Sequence, residues 1–145
     1  MPPARLLVLD ANILIRAVLG KRVRAILLKH GRATRFVAPE AMVAEAEEHL
    51  PAILSKRGVP AADGMAVLNA ICKVIQTVDH EAYSAFEETA KLRLAQRDID
   101  DWPVLAAALV LNCPIWTEDA DFFGAGVATW TTDRVEMYLE NAAGS

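Results

Sequence analysis

Cysteine and histidine are scarce in this chain, and the few present are poorly spaced for chemistry. Cys72 and Cys113 stand far apart in apolar surroundings and make no CxxC pair, which excludes a thiol-redox motif and a cysteine-ligated zinc site. They read as buried, reduced thiols of a cytoplasmic protein. His30, His49 and His80 show neither HxxxH nor HExxH spacing, which excludes the usual zinc-hydrolase arrangement. Long hydrophobic runs are also missing. The longest nearly uncharged stretch, Trp102–Thr117, falls short of the roughly 20 residues of a membrane span. Arg5 and Asp10 interrupt the first apolar run before it reaches the length of a secretory core. There is no internal repeat and no low-complexity linker.

What is present suits one domain. The chain has 145 residues, 54% of them hydrophobic, enough for a real core. The expected unit is 1–145, with 141–145 as a frayed tail. Net charge is −4, but it is unevenly spread: residues 1–36 hold eight Lys/Arg and one acid, +7, and the remainder seven Lys/Arg and eighteen acids, −11. A basic first quarter can bind a polyanion locally or can simply solvate a helix surface. Charge alone leaves both readings open.

Strand and helix signals alternate along the chain. Leu6–Leu9 is a continuous apolar run ending on Asp10-Ala11-Asn12, the pattern of a buried parallel strand. Asn12 is placed to cap a helix over Ile13–Leu19, which Gly20 ends. Val23–Leu28 predicts a second helix closing at His30-Gly31. Arg35–Ala38 predicts a second strand, and Pro39 opens a helix through Leu50. Pro51 is expected to interrupt or kink that helix, and Gly58-Val59-Pro60 to break it. Glu40, Glu47 and Glu48 read as exposed helix charges. Glu45, at about 100° per residue, lies near the Ala41–Met42–Ala52 stripe and should point partly inward.

Asp63 is expected to cap the next helix. Val74–Val78 predicts a third strand, and His80–Leu94 a helix. Asp98–Asp101 opens the nearly all-apolar helix Trp102–Leu111. Capping and the helix dipole account for one or two of those acids. Pro114–Trp116 predicts a fourth strand, followed at once by Thr117-Glu118-Asp119-Ala120-Asp121. Val127–Trp130 predicts a last strand, and Thr132 or Asp133 a cap for a closing helix, Val135–Asn141.

Asp10 and Asp119 thus directly follow strands, Asp101 opens the helix leading into the second of these, and Glu45 follows the second strand. Right-handed crossovers bring strand ends to one rim, where open α/β sheets bind ligands. Four carboxylates there repel unless a cation joins them. Hard oxygen donors suit Mg2+ or Mn2+, ions that activate water and stabilise the leaving oxygen of a phosphodiester.

These pieces, in this order, resemble the PIN-domain nucleases, which include the VapC-type toxins of toxin–antitoxin pairs. The resemblance rests on Leu7–Asn12, Ala38-Pro39 through Val43–Glu45, Asp98–Ala108 and Ile115–Phe122, and spans Leu6 to about Trp130. It implies an α/β, three-layer Rossmann-like fold with a mainly parallel sheet of four to five short strands, and a metal-dependent endoribonuclease. Asp10, Glu45, Asp101 and Asp119 match the family's acidic quartet. The three aspartates are implied as Mg2+ or Mn2+ ligands, and Glu45 completes the shell or orients the attacking water. Asn12 and Thr117 match supporting polar positions. Asp98 and Asp121 are alternative acids, and Asp100 reads as an exposed loop acid. Arg16, Lys21, Arg22 and Arg24 follow the helix that Asp10 leads into and could grip RNA, single-stranded or structured, or contact an antitoxin.

Further implied are a homodimer, with Ile13–Leu28 as its face or as core, and no membrane role. The competing class is a catalytically inactive PIN fold that binds RNA or protein. A receiver module fits poorly, because no lysine follows Lys91. A haloacid-dehalogenase-like enzyme needs Asp-x-Asp where this chain has Asp10-Ala11-Asn12.

Overall fold

In the computed structural model of the protein, which describes residues 5–141, five short parallel strands form one sheet. They are β1 (Arg5–Leu9), β2 (Thr34–Pro39), β3 (Gln76–Val78), β4 (Ile115–Trp116) and β5 (Thr129–Trp130), in the order β3-β2-β1-β4-β5. The expected α/β class and mainly parallel sheet are therefore present, with every pairing parallel. β1 is central, and Leu7, Val8 and Leu9 are completely buried, which is why its sequence reads as a continuous apolar run.

Helices cover both faces. α1 (Ala11–Leu19), α2 (Lys21–His30), α3 (Glu40–Lys56) and α4 (Ala61–Val74) pack together on one side. α5 (His80–Tyr83), α6 (Glu87–Arg93) and α7 (Trp102–Leu111) pack on the other. α8 (Val135–Asn141) reaches back to β1, Tyr138 donating to the Leu6 carbonyl at 2.9 Å. In α7, Pro103 through Ala108 are all buried, so small and branched apolar side chains let the helix lie close on the sheet.

Several local expectations are corrected. Asp10, not Asn12, caps α1, because the helix begins at Ala11 and leaves Asn12 exposed in its first turn. Pro51 neither ends nor splits α3, which runs on to Lys56; its ring lies on the exposed face, clear of neighbouring elements. Asp63 lies inside the first turn of α4, whose cap position is Pro60. Val74 ends α4 rather than opening β3.

The expected helix His80–Leu94 is broken by a 3-10 turn, Ser84–Phe86. Tyr83 turns there to pack on Trp102 with ring centres 5.5 Å apart and to donate to Glu40, a tertiary contact that overrides the helical periodicity. Thr132 spends its hydroxyl on Glu118 and on the Trp116 indole N–H. Within Ile13–Leu28, Ile13, Leu14, Val18, Val23, Ile26 and Leu27 are buried within the single chain, while Leu28 is 66% exposed. Residues 142–145 of the expected frayed tail lie outside the described residues. Among the described residues, no helix is long and apolar enough to cross a membrane.

The strand order places the site. The chain builds β1, β2 and β3 outward in one direction, then crosses back to lay β4 on the other side of β1. A switch of this kind opens a crevice beyond the carboxyl ends of the two strands. In register, Leu9 pairs with Trp116, so Asp10 and Thr117 emerge side by side.

Candidate active site

Asp10 leaves β1 and caps α1, its Oδ1 accepting from the Ile13 amide at 2.9 Å. Its Oδ2 accepts from the Thr117 hydroxyl. The same hydroxyl oxygen accepts from the Asp119 amide at 2.9 Å. One fully buried threonine thus ties the ends of β1 and β4 together and aims both acids into the crevice. Asp119 in turn caps the 3-10 turn Ala120–Phe122, its Oδ1 accepting from the Asp121 amide at 2.9 Å.

A second group adjoins the first. Asp98 caps the 3-10 turn Ile99–Asp101 through the Asp100 amide, at 3.0 Å. Carboxylate oxygens of Asp98, Asp101 and Asp121 all lie within 4.8 Å of one another. Asp101 links the two groups. Burial pushes its carboxyl up to about 7, helped by the charges of Asp119, Asp98, Asp10 and Asp121. Asp10 is pushed up to about 6, first by burial and then by Asp119 and Glu118, against the hydrogen bonds from Thr117 and Ile13. The Oδ2 atom of Asp101 is buried and has no hydrogen-bond partner. Among the described residues, no Lys or Arg forms an ion pair with any of these acids.

The structure therefore brings Asp10, Asp101, Asp119, Thr117, Asp98 and Asp121 together. Asp98 and Asp101 are not alternatives but members of one cluster. Glu45 is different: it is exposed on α3, not turned partly inward, because Met42, Ala46 and Leu50 take the buried stripe. Glu40, expected as an exposed charge, is not one. It is half-buried, accepts from Tyr83 at 3.2 Å, and holds a buried Oε2 without a partner. Its position directly after β2, like that of Asp10 after β1, was the signal for it.

The basic residues also separate. Arg16 and Arg22 line a cleft of about 830 Å3 together with Asn12, Asp119, Asp133 and Arg57. Lys21 is exposed but does not line it. Arg24 donates to the carbonyls of Ala17 and Val18 at 3.4 and 3.3 Å, closing the end of α1. Arg57, which sequence reasoning missed, reaches the cleft from the end of α3.

A hard divalent cation fits this centre. All the donors are oxygens, and one Asp101 oxygen is buried without a partner. A different group, His30 with Glu136 and Glu140, is already crossed by the Lys29 ammonium at 3.5 Å from each glutamate.

The family model for the PIN domain matches residues 8–140. No curated protein matches the chain in sequence. Solved structures share its fold. VapBC2 from Rickettsia felis, bound to a DNA fragment from its promoter, matches with a TM-score of 0.67 at 14% identity, over 87% of this chain and 98% of that one. PAE2754 from Pyrobaculum aerophilum matches with a TM-score of 0.71 at 14% identity, over 94% and 90%. A toxin–antitoxin complex from Klebsiella pneumoniae matches with a TM-score of 0.59 at 16% identity, over 86% and 96%.

Proposed function

The chain belongs to the PIN-domain family, and from that premise we propose that it is a metal-dependent endoribonuclease acting through Asp10, Glu45, Asp101 and Asp119. The observation that carries this reading is Asp101: a half-buried carboxylate with one orphaned oxygen, set among four other acids at the switch crevice. A binding module gains nothing from holding such repulsion together.

Asp10, Asp101 and Asp119 would hold Mg2+ or Mn2+, with Asp98 and Asp121 supporting from the Asp101 side. An ion bound there supplies Lewis-acid stabilisation and a water of lowered pKa. Thr117 keeps Asp10 and Asp119 in fixed orientation, and Asp98 and Asp119 shape the two short turns that present Asp101 and Asp121. Glu45, exposed on α3, would complete the shell or orient the attacking water. RNA is the substrate that this reading names, with Arg16 and Arg22 beside Asp119 to meet its phosphates. The toxin–antitoxin complex among the structural relatives supports a further reading, that the chain is the toxin of such a pair and is held by a cognate antitoxin.

The test is cleavage of single-stranded and structured RNA by the purified chain in Mg2+, Mn2+ or EDTA. Cleavage should need the metal and fall at least about 100-fold in Asp10→Asn and in Asp119→Asn, the scale on which removing a group that stabilises transition-state charge is felt. Metal-independent cutting, or full activity in both variants, would overturn the site. No cutting together with no metal binding by calorimetry would favour the inactive, RNA- or protein-binding alternative.

A further inference from the structure

Among the described residues, Arg57 is the one cation lining the cleft beside Asp119 that comes from neither α1 nor α2. It follows α3, with its amide hydrogen-bonded to the carbonyls of Ile53 and Leu54 at 3.2 and 3.1 Å. One turn earlier, Leu54 packs on Gly64 of α4 so closely that a Cβ on Gly64 would stand 2.2 Å from Leu54 Cδ1. Arg57 therefore lies just beyond the point where α3 touches α4. Arg16 arrives from the last turn of α1 and Arg22 from the first turn of α2. Arg16, Arg22 and Arg57 thus line one cleft from three places in the chain, and its volume lies in the range of ligand pockets, about 300–1,000 Å3.

Net charge does not decide what the cleft binds, because Glu118, Asp119 and Asp133 line it too. What matters is that these acids do not engage the three arginines in ion pairs. Glu118 already accepts from the Thr132 amide and hydroxyl, Asp119 from the Asp121 amide and Asp133 from the Thr131 hydroxyl. Among the described residues, Arg16, Arg22 and Arg57 donate to no carboxylate. They offer planar forks, the geometry that pairs bidentately with phosphate oxygens. The side chains of Asp98, Asp101 and Asp121 bring no cation of their own to the crevice.

We propose that Arg57, with Arg16 and Arg22, clamps the sugar–phosphate backbone of a single nucleic-acid strand and seats it beside the acidic centre, entering from this one side. The proposal rests on the nuclease reading. An acidic peptide could satisfy the same forks, but it gives no reason for the cleft to open directly on Asp119.

The experiment uses the full chain carrying Asp119→Asn, in Mg2+, with fluorescein-labelled oligouridylate followed by anisotropy across a salt series. Adding Arg57→Ala, or separately Arg16→Ala, should weaken binding about fivefold and flatten the salt slope by about 0.7, the value for one lost phosphate contact on a single strand. Arg57→Lys should recover part of the affinity. Lys56→Ala, an exposed cation that does not line the cleft, should change neither quantity.

If Arg57→Ala and Arg16→Ala behave like Lys56→Ala, the clamp is wrong. Displacement of the RNA by polyglutamate at equal affinity and with the same Arg57 dependence would overturn the nucleic-acid assignment in favour of an acidic protein segment. Cleavage by the unsubstituted chain is scored separately. Arg57-dependent binding without any cleavage supports the clamp and counts against the nuclease reading. Metal-dependent cleavage with Arg57-independent binding does the reverse.

Discussion

At the scale of single residues, Thr117 carries more than its size suggests. Its hydroxyl proton goes to Asp10 and its oxygen takes the Asp119 amide proton, so one buried atom couples two acids 109 positions apart in sequence. Thr117→Val keeps the shape and removes the coupling. It leaves a buried carboxylate oxygen and a backbone N–H unpaired, a cost of about 1–3 kcal/mol. Metal-dependent RNA cleavage should fall at least about tenfold and the melting temperature should drop, while Thr117→Ser retains most of both. A valine variant with unimpaired cleavage would show that the hydroxyl does not position the acids. Asp10 and Asp119 were legible in the sequence because each directly follows a short apolar run. The burial of Glu40 and the exposure of Glu45 were not. A glutamate on a helix faces in or out according to which neighbouring element claims the buried stripe, and Met42, Ala46 and Leu50 claim it here.

At the scale of elements, the α3–α4 hairpin is the part that periodicity described least well. Pro51 within α3 signals a break, yet the helix runs on to Lys56 with the proline on its exposed face. What holds the hairpin is the close approach of Gly64 to Leu54. Gly64→Ala places a methyl group 2.2 Å from Leu54 Cδ1, and overpacking of this kind costs about 1–3 kcal/mol. Melting by circular dichroism should drop by several degrees, since about 1 kcal/mol moves a domain of this size by about 2–4 °C. The same variant should weaken RNA binding if Arg57 depends on the hairpin for its position. An unchanged melting temperature would mean that Leu54 yields without cost. The loop after Asp121 is secured differently, by Arg93 donating to the Ala125 carbonyl at 3.1 Å across Gly126, whose φ of +90° a side chain would strain.

At the scale of the whole molecule, the acidic centre should be visible in stability. Asp10 and Asp101 keep their protons up to about 6 and about 7 in the folded chain, against about 3.9 for an unfolded aspartate. Between these values the folded chain binds more protons than the unfolded one. Their contribution is therefore full below about pH 4 and is lost as pH rises toward about 7. Glu136, held low by its hydrogen bond from His30, acts in the opposite sense at acidic pH. The difference between parent and variant isolates the centre. In EDTA, Asp101→Asn should be the more stable of the two at pH 7.5, with the gap closing toward pH 4. Saturating Mg2+ should raise the parent's melting temperature and leave the variant's nearly unmoved, because only a bound ligand shifts the folding equilibrium. Parallel melting profiles in EDTA would remove the repulsion on which the metal reading depends.

The amino-acid sequence by itself determined the α/β class, the central apolar strand, the acids at strand ends and the absence of a long apolar span. Those features follow from local pattern: a continuous apolar run needs cover on both faces, and an acid just beyond it marks the end of the strand. The tertiary structure alone decided which acids share a centre, which arginines face it and which stay on a helix end. Asp98, Asp101 and Asp121 meet because two short turns come together at the switch between β1 and β4. Arg57 joins Arg16 and Arg22 because α3 packs beside α1. Convergence of this kind depends on packing between segments distant in sequence, and no local period records it.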